Sequence, residues 1–87
     1  MKIKDGFILR EVAGSYIVVA VGEAVKDFKG VINLNETGAL LWKELAKGAT
    51  EQDLKNALLN EYEVTEEIAE IDVKAFIDSL NKANLIK

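Results

Sequence analysis

Apolar residues recur with two different periods along this chain, and the change falls at Leu34. Before it, the stretch Phe7 to Val12 is rich in β-forming residues and carries one charged pair, Arg10-Glu11. Ala13-Gly14 supplies a tight turn, since glycine takes positive φ without strain. Tyr16 to Val21 follows as Tyr-Ile-Val-Val-Ala-Val, apolar on both faces. Such a run predicts a central strand covered on both sides. Gly22 to Gly30 reads as a polar connection whose Val25 and Phe28 tuck back onto the sheet. Val31 to Leu34 predicts a short third strand, and two hairpins in succession give a three-stranded antiparallel meander.

After Leu34 the period lengthens to about 3.6. Asn35 is a natural N-cap, and Glu36 puts negative charge in the first helical turn. Leu41, Trp42 and Leu45 form the apolar stripe of a first helix that stops near Gly48. Thr50 caps a second helix, with Asp53 in the place of the usual Glu of a capping box. That helix aligns Leu54, Ala57, Leu58 and Tyr62. Thr65 caps a third, where Ala69, Val73, Phe76, Ile77 and Leu80 recur at helical spacing. Asn84 is placed for a left-handed cap, and Leu85-Ile86 for an apolar tail folding back. One layer of sheet beside three short helices predicts a single α+β domain over residues 1–87: winged-helix-like, a three-stranded antiparallel sheet followed by a three-helix bundle.

Composition adds mainly exclusions. At 87 residues there is room for one core. Hydrophobic residues at 49% and charged residues at 30% place the chain among globular proteins and not disordered tails. Met1 to Asp5 is too polar to open a signal peptide, and the run Tyr16 to Val21 is far too short for a membrane span. The absence of cysteine leaves no disulfide framework and suits the cytoplasm. A formal charge of -4 without any basic block argues against nucleic acid and anionic membranes.

Catalytic chemistry has little to stand on. Without His or Cys, zinc and transition-metal sites lose their usual ligands, and Ser15 and Ser79 have no imidazole to activate them. Gly14, Gly22, Gly30, Gly38 and Gly48 never cluster into a phosphate-cradling loop. No catalytic residue, metal or cofactor is expected.

Four stretches, taken in order, carry a resemblance. They are Leu34-Asn35-Glu36-Thr37-Gly38-Ala39 with Trp42, then Glu61-Tyr62-Glu63-Val64, then Asp72-Val73 with Phe76-Ile77 and Leu80, and finally Leu85-Ile86. This order and spacing resembles the PqqD family, the small proteins of pyrroloquinoline quinone biosynthesis and their relatives in peptide natural-product clusters. Where the family commonly has Gly before the closing Leu-Ile, this chain has Asn84, which also tolerates the left-handed conformation. The resemblance implies a RiPP recognition element, a peptide chaperone that holds the leader of a ribosomally made precursor. In relatives the leader docks as an extra strand beside the third strand, against the third helix. A partner enzyme, often a radical SAM protein, modifies the core peptide.

The residues agree with that mode. Strand addition needs an edge with unpaired N–H and C=O groups. If the second strand is central, the first and third are edges. Arg10 and Glu11 blunt the first, whereas Val31 to Leu34 carry no charge. The expected peptide-binding residues are Val31, Ile32, Asn33 and Leu34, chiefly through their backbone, with Asp72, Phe76, Ser79 and Leu80 on the third helix. For Ile32, Leu34, Val73, Phe76 and Leu80 a core role competes with ligand contact, and Asp72 can equally be a solvated charge. The rival reading is a winged-helix DNA-binding regulator. Its recognition helix would have to carry Glu66, Glu67, Glu70, Asp72 and Asp78 toward a polyanion, against only Lys74 and Lys82. A purely architectural subunit is a third possibility. An open edge can also pair with a second copy, so oligomeric state stays open.

Overall fold

The computed structural model describes residues 1–26, 28 and 30–87. Strands β1 (Phe7–Val12), β2 (Ser15–Ala20) and β3 (Ile32–Leu34) form an antiparallel sheet in the order β1-β2-β3. Helices α1 (Glu36–Ala46), α2 (Glu51–Glu61) and α3 (Glu66–Lys82) follow, which is the expected α+β arrangement. A short 3-10 turn over Gly22–Lys26 joins β2 toward β3. Asp27 and Lys29, in the same connection, lie outside the described residues.

The sheet register sorts its side chains into two faces. Leu9, Val18 and Ile32 form one cross-strand row, and Glu11, Tyr16 and Leu34 the next. Phe7, Leu9, Val18, Ile32 and Leu34 from this face pack on the helices, and Val18 is fully buried. The opposite face presents Ile8, Arg10 and Val12 of β1, Ile17 and Val19 of β2, and Asn33 of β3. The helices cover only the first face. The apolar pattern of β2 therefore marks a central strand, as expected, but one covered by helices on one side alone. Val25, expected to tuck back, is exposed, whereas Phe28 does so and meets Phe7 edge-on at 5.4 Å.

Each helix begins where its cap residue stands. The Asn35 side chain accepts from the Gly38 N–H at 2.8 Å, and Thr65 Oγ1 accepts from the Ile68 N–H at 3.2 Å. The Thr50 box is complete: Thr50 Oγ1 accepts from the Asp53 N–H at 3.1 Å, and Asp53 Oδ2 accepts from the Thr50 N–H at 2.9 Å. The shorter Asp thus does the work of the usual Glu. Asn84 has φ 60 and turns Leu85 back into the core, where it is fully buried. The N-terminal segment closes over this tail. The Lys4 N–H donates to the Leu85 carbonyl at 2.8 Å and the Lys87 N–H to the Lys2 carbonyl at 2.9 Å, with Ile3 bridging Ile86. Nothing in the apolar pattern of Met1 to Asp5 points to this pairing.

Candidate functional site: an open strand edge beside an apolar groove

The β1–β2 hairpin determines which way the backbone of β3 faces. Ala13 and Gly14, with φ 50 and 82, form a two-residue turn of the primed type, closed by the pair Val12 and Ser15. Residues flanking such a turn exchange both backbone hydrogen bonds, and bonded pairs then alternate with unbonded ones. Arg10 with Ile17 and Ile8 with Val19 are therefore bonded pairs. The bond from the Val21 N–H to the Gly6 carbonyl, 2.7 Å, continues the same alternation. Tyr16 and Val18 must then turn their backbone groups toward β3, where they meet Leu34 and Ile32. Asn33 stands opposite Ile17 in an unbonded pair. Its N–H and C=O consequently point away from the sheet, to the free edge.

Beyond that edge lies a groove of about 330 Å³ between β3, the start of α1 and α3. Asn33, Leu34, Asn35, Thr37, Gly38 and Leu41 line one side, and Asp72, Ala75 and Phe76 the other. Gly38 lets α1 start this close to the strand. A Cβ there would stand 3.1 Å from Asn35 Oδ1 and 3.4 Å from Leu34 Cβ, so the neighbours would have to give. The groove continues around Asn33 to Asn35 into a second hollow with Tyr16 and Glu36 on its wall. Lys43 lies over the Tyr16 ring, its Nζ 5.9 Å from the centroid. Partial desolvation, then the nearby Glu36 and Glu61 carboxylates, push the Tyr62 phenol upward.

The expected site residues do not all meet in this groove. Asn33, Leu34, Asp72 and Phe76 line it. Val31 is exposed and lies outside the lining, and the half-buried Ile32 faces the helices. The Ser79 hydroxyl donates to the Phe76 carbonyl at 3.0 Å, one turn back on its own helix, and Ser79 does not line the groove. Leu80 is fully buried, so its side chain belongs to the core and presents no surface to a ligand. Asn35, Thr37, Gly38, Leu41 and Ala75 line the groove without having been expected there. For Asn35, Thr37 and Gly38 the signal was the Leu34 to Ala39 motif itself, which reads as a helix start and is also a groove wall; Leu41 and Ala75 had no signal beyond helical period. Ile68 and Ile71, at 48% and 65% exposure, extend the face of α3 that carries Asp72 and Ala75.

Electrostatics on α3 are one-sided. Lys74 pairs with Glu70 at 3.1 Å and Lys82 with Asp78 at 3.0 Å, and the hydrogen bond and charge of Lys74 hold the Glu70 carboxyl low. Asp72 has no ion pair among the described residues. A polyanion would meet uncompensated carboxylates on this helix, which disfavours the DNA-binding alternative. Among the described residues no group of three His, Cys, Asp or Glu is placed to hold a metal ion, and no helix is long and apolar enough to cross a membrane.

An uncapped strand edge against a helix-lined groove is a geometry to which an extended peptide can add as a further strand. The family described as coenzyme PQQ synthesis protein D (PqqD) matches residues 16–86, and the chain belongs to that family. No curated protein sequence matches it. Two solved structures share its fold. One is described as TbiB1 in complex with the TbiA(beta) leader peptide, with a TM-score of 0.78 and 21% identity, over 100% of this chain and 95% of that one. The other is lasso peptide synthetase B1 complexed with the leader peptide, with a TM-score of 0.77 and 23% identity, over 99% and 95%.

Proposed function

We propose that this domain binds the leader segment of a ribosomally made precursor peptide as a fourth strand beside β3, and presents it to a separate modifying enzyme. The observation that carries the reading is the outward-facing backbone of Asn33 next to the groove lined by Asp72, Ala75 and Phe76. Family membership and the leader peptides bound by the two structural neighbours support it. With β3 only three residues long, few ladder bonds are on offer. Side chains entering the groove must supply much of the affinity, because each such bond adds only about 1 kcal/mol net. The radical SAM class is our reading of the partner from the family resemblance. The domain itself we read as a binding subunit and not an enzyme, since the chain contains neither His nor Cys to assemble a nucleophile with its base.

Titrating isotope-labelled protein with the leader encoded beside its gene tests the reading. Amide signals of residues 31–35 and of α3 around Asp72 to Phe76 are expected to shift. Shifts confined to β1 would place the peptide on the other edge and overturn it.

A further inference from the structure

We infer that the groove selects its peptide by charge: the docked strand carries a Lys or Arg that meets Asp72, two residues from an apolar side chain that covers Phe76 and Ala75. The inference rests on the strand-addition reading above and specifies what the strand must contain.

Three observations carry it. First, Asp72 is the one charged residue lining the groove among the described residues, and the next hollow along the edge adds, among those residues, another carboxylate, Glu36. Second, three lysines of the neighbouring helices are engaged elsewhere. Lys74 and Lys82 hold Glu70 and Asp78, and Lys43 lies over the Tyr16 ring. The partial positive charge at the start of α1 is met by the Asn35 cap and by Glu36 in its first turn. Asp72 therefore leaves the groove a net acceptor of positive charge. Third, the spacing fits. Asp72 and Phe76 stand one helical turn apart, about 5–6 Å. Alternate residues of an extended strand repeat at about 6.7 Å and point to the same side. One groove-facing side chain of the docked strand reaches Asp72, and the next reaches Phe76. A carboxylate in the cationic position would meet Asp72 as a like charge and be repelled.

The test is a selection of short random peptides, displayed on phage, against three immobilised proteins: wild type, Asp72→Lys and Asn33→Pro. Asp72 is exposed and has no ion pair among the described residues, so its replacement leaves the fold intact, which circular dichroism verifies. Wild type is expected to enrich Lys or Arg two positions from an apolar residue, and Asp72→Lys to enrich Asp or Glu at the same position. A synthetic peptide from the wild-type pool should lose roughly three- to fivefold in affinity toward Asp72→Asn. If peptides enrich in a manner that Asn33→Pro abolishes, yet with no charge preference or the same one in both pools, the charge inference fails and strand addition stands. If nothing enriches on wild type beyond the Asn33→Pro background, both readings fail together.

Discussion

Three consecutive backbone directions on β3 decide what single substitutions there do. Ile32 and Leu34 turn their N–H and C=O groups into the sheet, and Asn33 turns its own outward. Ile32→Pro removes a ladder donor and leaves the Val18 carbonyl unpaired in the fold's central row. Chemical denaturation should show a loss of about 2 kcal/mol or more. Gly38 is a second position where one added atom matters. Gly38→Ala presses on Asn35 Oδ1 and Leu34, so it should weaken the α1 cap and narrow the groove together. A stability loss of about 1 kcal/mol, with a matching fall in peptide affinity, is the expected pair of readings. Much of this was legible in the chain. The uncharged run Val31 to Leu34 is the edge we propose for docking, but which of its residues face outward depends on the hairpin register, which hydrophobicity alone does not encode.

Caps and packing faces set the elements. All three helix starts were readable from Asn35, Thr50 and Thr65, because each cap side chain satisfies a backbone N–H that the helix cannot. Thr50→Ala breaks the reciprocal bonds with Asp53 and should cost about 1 kcal/mol in a thermal or urea melt. The same stripe that made Leu80 a plausible contact makes it core, since helical period shows that a face is buried without showing what buries it. Phe76 lies at the margin of that face and serves both core and groove. The apolar outer face of β2 misled in the same way. Ile17 and Val19 promised a second covering layer, and the helices cover only the Val18 side. Ile71, exposed on α3, illustrates the converse, and Ile71→Ser should move stability by less than about 0.5 kcal/mol.

At the scale of the whole molecule, the fold is closed by its ends while the β3 edge stays open. Leu85 sits fully buried behind the left-handed Asn84, and the segment Lys2 to Lys4 pairs with the tail around it. Deleting that side chain in Leu85→Ala leaves a cavity and should cost about 2–4 kcal/mol in urea unfolding. The pairing was invisible in the sequence because it joins two short polar-flanked segments from opposite ends, and neither has a period of its own. The open edge at β3 is the counterpart. With β1 and β2 paired and the helices packed on one face, the backbone of Asn33 faces out from the sheet, where we propose that the leader strand adds.

The most direct measurement is a calorimetric titration of the cognate leader into wild type and Asn33→Pro, beside thermal melts of both. Proline is tolerated on a free edge, and Ile32 before it is already extended. Strand addition predicts nearly equal melting temperatures and at least a tenfold loss of affinity, or about 1.4 kcal/mol. A folded Asn33→Pro protein that binds the leader as tightly as wild type would contradict docking at this edge.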